Sequence, residues 1–252
     1  MEALSCLCGC RSLVTGVRVM DNLFALIDPT ATRVALNTRG FARILGFLSP
    51  DSCRNFVQGY SQDALYRSTI NMQRYNFGSG QYRYFKYPLE QTLSSLRHQG
   101  YDFLRPVAEQ WAADLKQDFQ FPDRYEDYLN CCHQAGQLRP TPLILRYEQG
   151  DYNCLHQDLY GDLVFPLQLI VMLSDPDADF AGGELVLTEQ RPRMQSRAHV
   201  LNLALGEAVI IAVNHRPAAG ARGYYRVVMK HGVGEVHRGV RQTLGIILHD
   251  AT

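Results

Sequence analysis

Two patterns of hydrophobic and polar positions divide the chain near residue 140. In residues 21–138 the apolar positions recur at helical spacing. The clearest example, LEQTLSSLRHQGYDFLRPVAEQWAADLKQDF, carries on one face Leu93, Leu96, Phe103, Val107 and Trp111. Ser49 and Pro50 are typical of the N-cap and first position of another helix. Between these helices, RYNFGSGQYRYFKYP is punctuated by glycine and rich in aromatic residues, which predicts a loop or an irregular hairpin.

From Thr141 onward the pattern changes to short apolar runs separated by turn sequences such as SDPDADFAGG and RPAAGARG. The runs are PLILRY, PLQLIVML, GELVLTEQ, HVLNLA, EAVIIAV, YYRVVMKH and RQTLGIILH. Several short strands at nearly regular spacing, with few helices between them, favour an antiparallel sandwich, barrel or jelly roll over a parallel α/β sheet.

Composition narrows the function classes only a little. With 46% hydrophobic and 20% charged residues among 252, the chain is typical of a globular protein with one core or two small ones. Lysine plus arginine and aspartate plus glutamate each number 25, so the chain as a whole has no net charge to attract nucleic acid or an acidic membrane. A local basic patch remains possible.

The cysteines and the N-terminus bear on the compartment. Seven cysteines in a chain of this size predict a reducing cytoplasm rather than a disulfide framework. Cys6, Cys8 and Cys10 lack a second ligand cluster at zinc spacing, so we expect residues 1–20 to be a flexible tail and residues 21–252 to be a single domain. We find no apolar run of about 20 residues and no export signal, and therefore expect no membrane association.

The motif His156-x-Asp158, in YNCLHQDLYGD, is the first candidate for chemistry. Two side chains two positions apart on an extended backbone point to the same side and can bind one cation. His231, which ends a strand-like run 73 residues later, is able to face them across a barrel. Two imidazoles and one carboxylate form the facial triad of non-haem Fe(II) oxygenases. H-x-D alone is weak evidence, since such pairs arise by chance.

Arg241 strengthens this interpretation because a buried guanidinium facing a metal site needs an anion, and its planar fork fits a carboxylate. Thr243 shares its face by strand alternation. A metal site that also binds a dicarboxylate indicates a keto-acid co-substrate. One end of that co-substrate chelates the metal, while its distal carboxylate pairs with Arg241 and accepts a hydrogen bond from Thr243.

The segments RYEQGDYNCLHQD, GGEL, LGEAVIIA and HGVGEVHRGVR resemble, in order, motifs of Fe(II)/2-oxoglutarate-dependent dioxygenases of the prolyl-4-hydroxylase-like branch. The resemblance covers residues 141–250 and extends weakly to GFARILGFLSPDSC, which looks like the entry strand and helix of that branch. More narrowly, the chain is similar to a bacterial group described as acting on damaged DNA. The resemblance implies an α+β fold, with a double-stranded β-helix (jelly roll) core at 141–252 and supporting N-terminal helices at 21–140 packed on one sheet.

By this resemblance His156, Asp158 and His231 bind the iron, while Arg241 binds the 2-oxoglutarate, with Tyr147 matching a tyrosine that assists it in some relatives. The implied activity is hydroxylation of a C–H bond by O2, with release of succinate and CO2. The spacing of ten residues from His231 to the arginine favours a peptidyl or amino-acid side chain as substrate. Oxidative dealkylation of damaged nucleic acid is the alternative.

Several other residues are candidates at the site. Arg191, Arg193 and Arg197 predict either an anion-binding rim or a solvated loop, and Tyr82 and Tyr84 belong to the aromatic segment that is a candidate substrate lid. His237 is the rival third ligand, and His249 shares the alternation of the arginine. A different class, a non-catalytic or zinc-binding jelly roll, stays open. Arg241 and Thr243 discriminate between the two classes, because a zinc–water site needs no buried carboxylate receptor.

Overall fold

The computed structural model describes residues 22–176 and 178–252. The predicted tail and its three cysteines lie outside these residues. The described part contains four α-helices, α1 (Pro29–Arg39), α2 (Pro50–Gly59), α3 (Gln91–Asp114) and α4 (Tyr125–Gln134), and three short 3-10 helices, Leu23–Leu26, Asp63–Leu65 and Met72–Tyr75.

Fifteen strands are found in the same ranges. They are β1 (Phe41–Ile44), β2 (Tyr66–Asn71), β3 (Gly78–Ser79), β4 (Gln81–Phe85), β5 (Leu143–Tyr147), β6 (Tyr152–His156), β7 (Leu167–Met172), β8 (Phe180–Gly182), β9 (Leu185–Gln190), β10 (Arg197–Leu201), β11 (Ala208–Ala212), β12 (His215–Gly220), β13 (Gly223–Val233), β14 (Val236–Gly239) and β15 (Arg241–Ile247).

Local signals in the sequence explain where the helices begin and end. The Ser49 side chain accepts a hydrogen bond from the backbone N–H of Ser52, and Pro50 occupies the first turn of α2, which confirms the predicted cap. Gly40 ends α1 with a φ of 77°, a left-handed conformation that glycine adopts without steric cost. The chain then enters β1 directly, so α1 lies beside the sheet that β1 joins.

The strands form two facing antiparallel sheets, which confirms the predicted jelly-roll core. A seven-stranded sheet has the order β1-β11-β7-β15-β5-β4-β2, and a six-stranded sheet has the order β10-β9-β13-β6-β3, with β12 pairing β13. A third pair, β8 with β14, lies off these sheets. The long sequence separation between paired strands, such as β6 and β13, is what brings distant residues to one place.

Strand β7 shows how the two layers of the core are divided. All six of its residues are buried. Leu167, Leu169 and Val171 belong to the core that includes the apolar face of α3, whereas Ile170 and Met172 belong to a second core shared with the six-stranded sheet. Helices therefore cover one face of the seven-stranded sheet, and the other face lines the interior of the barrel.

The N-terminal half is helical as predicted, since it holds all four described α-helices, but it also supplies strands that the helical pattern did not indicate. Strand β1 extends one edge of the seven-stranded sheet, while β4 and β2 extend the other. These strands are short, so local periodicity carries little sign of them. β1 pairs with β11 and β4 with β5, both far along the chain, whereas β2 pairs with the nearby β4. The aromatic segment is not a hairpin of its own: its strand β3 pairs with β6 in the six-stranded sheet, whereas its strand β4 pairs with β2 and β5 in the seven-stranded sheet. None of the described helices is long and apolar enough to cross a membrane.

Candidate active site

Two histidines lie directly opposite each other inside the barrel. His231 on β13 pairs with His156 at the end of β6, and their ring centroids are 4.2 Å apart. Asp158 follows two residues after β6, and its carboxylate oxygens lie 3.5 Å from Nε2 of His156 and 3.2 Å from Nε2 of His231. One potential ligand atom from each residue lies within 4.8 Å of the others. The strand pairing thus brings His231 to His156 and Asp158, although 73 positions separate it from Asp158 in the sequence.

The charges of this triad favour metal binding. Burial alone would raise the pKa of Asp158, but the two imidazoles outweigh burial and hold its pKa well below the usual value. Burial, followed by the neighbouring His156, lowers the pKa of His231. The site therefore offers an ionised carboxylate and a neutral imidazole, the protonation states that coordinate a cation.

The backbone sets the orientation of one imidazole. Nδ1 of His156 lies 2.8 Å from the carbonyl oxygen of Cys154, so the proton belongs on Nδ1 and Nε2 is left free as a ligand. Nδ1 of His231 has no hydrogen-bond partner among the described residues. His231 is instead held by its strand, β13, which at this residue pairs with β6 on one side and β9 on the other.

A cavity of about 400 Å³ extends from the triad into the barrel. Arg241, Thr243 and Tyr147 line it together with the three triad residues. Tyr147 faces the arginine in the pairing of β15 with β5, and the guanidinium carbon lies 5.5 Å from the tyrosine ring centroid. The rest of the lining is largely apolar and includes Leu143, Leu145, Ile170, Leu185 and Ile247.

The state of Arg241 is the most informative feature of this cavity. Its side chain is fully buried, yet none of its three guanidinium nitrogens has a hydrogen-bond partner within the described part of the chain. Burial lowers its pKa to about 10. A buried charge without a partner is costly to fold, and an anion bound in the cavity removes that cost.

Gly183 makes room for this arginine. A Cβ atom on Gly183 would lie 2.8 Å from Cδ of Arg241, and the φ of Gly183 is 64°. Both the close approach and the left-handed backbone require glycine here. The GGEL turn thus packs directly against the side chain of Arg241, although the sequence indicated it only as a turn.

Two residues that the sequence analysis did not single out contact the triad. Gln168 on β7 donates a hydrogen bond of 2.7 Å to Oδ2 of Asp158, and the Tyr160 hydroxyl donates one of 2.6 Å to Oδ1. A polar residue inside the apolar run PLQLIVML was the available signal for Gln168.

The other predicted residues divide between the cavity and the surface. Tyr82 lines the cavity, whereas Tyr84 is buried behind it and packs edge-on against Tyr160. Three predicted arginines, which lie between the end of β9 and the first residue of β10, are exposed and do not line the cavity. Two of them border a separate surface pocket, so nothing in the structure supports an anion-binding rim at this cavity formed by Arg191, Arg193 and Arg197.

The rival histidines are also placed elsewhere. His237 is exposed on β14, and the cluster that brings together the triad does not include it. His249 is fully buried beyond the end of β15, and it is not among the residues that line the cavity. The donor set that remains, two imidazole nitrogens and one carboxylate oxygen on one side of an open cavity, fits Fe(II) with sites left for exogenous ligands.

Comparison with known proteins agrees with this geometry. A family model described as "Oxygenase, catalysing oxidative methylation of damaged DNA" matches residues 80–251. The chain belongs to this oxygenase family. Two Mycobacterium tuberculosis relatives, the uncharacterized proteins Rv2227 (strain H37Rv) and MT2286 (strain CDC 1551), are each 43% identical over 167 residues, which cover 66% of this chain and 72% of theirs.

The fold of this oxygenase is shared with solved 2-oxoglutarate–Fe(II) oxygenases. A Pseudomonas putida prolyl-4-hydroxylase aligns with a TM-score of 0.54 at 15% identity, covering 86% of this chain and 96% of its own. A Trichoplax adhaerens prolyl hydroxylase, solved with a hypoxia inducible factor peptide fragment, aligns with a TM-score of 0.50 at 13% identity. This alignment covers 89% of this chain and 88% of the hydroxylase. The family match makes the enzyme an oxygenase, and its His-Asp-His cluster is a donor set that fits Fe(II).

Proposed function

We propose that His156, Asp158 and His231 bind Fe(II), and that Arg241, Thr243 and Tyr147 bind 2-oxoglutarate deeper in the same cavity. The observation that carries this assignment is the buried guanidinium of Arg241, which has no partner among the described residues and lines a cavity that also contains a metal-binding donor set. A carboxylate bound to both ends of the guanidinium fork satisfies the arginine.

The charges of the assembled site support the same assignment. Aspartate contributes one negative charge and arginine one positive charge, while Fe(II) adds two positive and 2-oxoglutarate two negative charges. The four sum to zero in an interior where an unbalanced charge is costly. A zinc site with bound water leaves the guanidinium unpaired, which favours the dioxygenase over the zinc-binding module.

Each side chain has a role that follows from its contacts. Bound Fe(II) and 2-oxoglutarate supply the activation of O2 that hydroxylates an unreactive C–H bond, with release of succinate and CO2. His156 presents Nε2 because the Cys154 carbonyl holds its other nitrogen. Arg241 fixes the far end of the co-substrate, and Thr243, on the same face, donates its hydroxyl to the same carboxylate. Leu145, Ile170 and the other apolar lining residues exclude water.

For the substrate, we propose a C–H bond of a peptidyl or amino-acid side chain. Among the described residues that line the cavity, Arg241 is the one cation apart from the two histidines, and it is already assigned to 2-oxoglutarate. No cation is therefore left in the cavity for a phosphate group. The solved relatives that share the fold are named as prolyl hydroxylases, and one of them holds a peptide fragment.

Damaged DNA is the second candidate, and a specific observation favours it. Tyr75 and Phe77 form a stacked pair, with ring centroids 5.6 Å apart and an interplanar angle of 19°. Both are about half exposed, and Phe77 lines the cavity. Exposed aromatic rings at the side of a cavity provide a stacking platform for a base. The description of the family names damaged DNA as its substrate.

The assignment is tested by succinate and CO2 release from 2-oxoglutarate with added Fe(II), in wild type and in Arg241→Ala. We expect turnover in wild type and its loss in the variant. No turnover in wild type, even uncoupled, contradicts the proposal. The substrate is tested by adding proline-containing peptides, free amino acids or alkylated oligonucleotides and measuring stimulated succinate release. Mass spectrometry then separates gain of one oxygen atom in a peptide from loss of an alkyl group in DNA.

We propose the cytoplasm as the compartment, because Cys53, Cys131, Cys132 and Cys154 are free thiols and free thiols persist in reducing compartments.

A further inference from the structure

Gln168 occupies an unusual position for a polar side chain. It lies in the middle of the seven-stranded sheet, where its strand neighbours are Ile211 on β11 and Ile247 on β15. Its side chain is 2% exposed, and its Oε1 atom has no hydrogen-bond partner among the described residues. An unsatisfied buried carbonyl lowers the stability of a fold, so a residue that serves only packing would be apolar here.

The amide nitrogen of Gln168 accounts for its presence. The amide nitrogen donates to Oδ2 of Asp158, while the Tyr160 hydroxyl donates to the other carboxylate oxygen, Oδ1. Tyr160 is itself held in place, because its backbone carbonyl accepts a hydrogen bond from the Thr252 N–H and its ring packs edge-on against Tyr84. Each oxygen of the carboxylate therefore has one donor that is not a histidine.

We propose that Gln168 and Tyr160 are positioning residues that hold the Asp158 carboxylate in one orientation, with a hydrogen bond on each oxygen. This inference rests on the proposed function, in which Asp158 binds the metal. A carboxylate has about four lone-pair sites, so each oxygen keeps a free site for the metal, and without the two donors the carboxylate can rotate about its last torsion. The pair thus fixes the plane in which the carboxylate faces the two histidines.

Two further features make this constraint important to the site. His231 has no hydrogen bond on its second ring nitrogen within the described part of the chain, so the geometry of the triad depends on how well the other two residues are held. His156 is held by the Cys154 carbonyl, and Asp158 by the glutamine and the tyrosine.

The test is anaerobic titration of the full-length protein with Co(II), a substitute for Fe(II) whose visible absorption reports its coordination. The variants are Gln168→Met, which keeps the side-chain length but removes the donor, and Tyr160→Phe, which removes only the hydroxyl. We expect the Kd for Co(II) to rise about 10- to 100-fold in each, with a changed visible spectrum. The thermal midpoint of metal-free Gln168→Met should stay close to that of wild type, because removal of the unsatisfied amide oxygen offsets loss of the hydrogen bond to Asp158.

Tyr125→Phe is the matched control. Tyr125 is another buried tyrosine; its hydroxyl donates to the Leu248 carbonyl rather than to Asp158, and neither Tyr125 nor Leu248 lines the cavity. This variant should lower the thermal midpoint but leave Co(II) affinity and the spectrum as in wild type. If it weakens Co(II) binding as much as Tyr160→Phe does, the effect is general destabilisation and the inference is overturned.

The remaining outcomes separate this inference from the proposed function. Unchanged Co(II) affinity and spectrum in both Gln168→Met and Tyr160→Phe overturn the positioning role while leaving the metal assignment intact. A Gln168→Met variant that loses stability without a change in Co(II) binding identifies a structural role and also overturns it. Failure of the wild type to bind Co(II) overturns the metal assignment itself, and the inference with it.

Discussion

Arg241 and Arg97 are both fully buried, but among the described residues only Arg97 has hydrogen-bond partners for its guanidinium. Arg97 on α3 donates hydrogen bonds to Asp250 at 2.9 Å, to the Ile247 carbonyl at 3.1 Å and to the Tyr87 hydroxyl at 3.1 Å. The guanidinium of Arg241 has no partner among the described residues. The hydrogen bonds of Arg97 stabilise the fold, whereas the guanidinium of Arg241 is available to a ligand in the cavity, as we propose.

Replacing Arg241 with methionine should therefore separate ligand binding from stability. Without 2-oxoglutarate, the free energy of unfolding of Arg241→Met should equal or exceed that of wild type, because an unpaired buried charge is replaced by an apolar side chain. The affinity for 2-oxoglutarate should fall by roughly 100-fold, the loss expected for hydrogen bonds to a charged group. Urea denaturation and calorimetric titration measure the two quantities.

The matched control is Arg97→Met. This change leaves Asp250 buried without its main partner, so the free energy of unfolding should fall by about 3–5 kcal/mol. If Arg241→Met proves as destabilising as Arg97→Met, the guanidinium of Arg241 has a structural partner after all and the ligand assignment is contradicted.

The third metal ligand can be tested against its rival. His231→Ala should abolish Co(II) binding and succinate release, because it removes one of three donors that lie within 4.8 Å of one another. His237→Ala should leave both unchanged, since that side chain is exposed on β14. The opposite pattern would place the metal outside the barrel.

Gly183→Ala should impair the proposed co-substrate site by displacing the side chain of Arg241. The added Cβ would lie 2.8 Å from Cδ of Arg241, and an L-residue at a φ of 64° is strained by roughly 1–2 kcal/mol. We expect weaker 2-oxoglutarate binding together with a modest loss of stability, while Co(II) affinity stays near that of wild type. Gly150→Ala, at a φ of 85° with nothing within 4 Å of the added Cβ, controls for backbone strain and should leave 2-oxoglutarate affinity unchanged.

The buried His249 predicts a pH dependence of stability. Burial lowers its pKa to about 4 in the folded protein, whereas in the unfolded chain it titrates near 6.5. Between these values the unfolded state binds the proton and the folded state does not, so stability falls as the pH decreases from about 6.5 to about 4. The loss amounts to about 3 kcal/mol for this group.

Urea denaturation at a series of pH values checks this expectation against a His249→Gln variant. The variant should show a flatter dependence over the same window, because glutamine does not titrate. His199, His215 and His231, whose pKa values are also lowered by burial, contribute to the slope in both proteins. Equal slopes in wild type and variant would show that His249 is not neutral in the fold.

Much of the barrel could be predicted because its strands carry their own patterns. The seven apolar runs after residue 140 correspond to β5, β7, β9, β10, β11, β13 and β15. Strand β6 does not show this pattern because its residues are exposed or only partly buried. Strand β4 depends on pairing with the distant β5, and β2 is an edge strand that pairs with β4. Tertiary pairing, rather than local preference, determines such strands.

Within the site, residue type was more informative than position. The triad and Arg241 could be proposed because their chemistry has few alternatives in that order. The role of Gln168 could not be seen, since it depends on β7 lying beside the loop after β6. Arg193 and its neighbours were ambiguous because charge alone does not indicate whether a loop faces the cavity or lies beside a different pocket.

The edges of the seven-stranded sheet matter for how the catalytic region can be isolated. The family match begins at residue 80, yet β1 covers the outer side of β11 and β2 covers that of β4. A fragment trimmed to the matched region would bare the unpaired backbone of AVIIA in β11, a short, uncharged, strongly β-forming segment. Such an edge recruits further chains and leads to aggregation. The residues before 80 therefore cover the two edges of the sheet, and a fragment used to study catalysis should retain them.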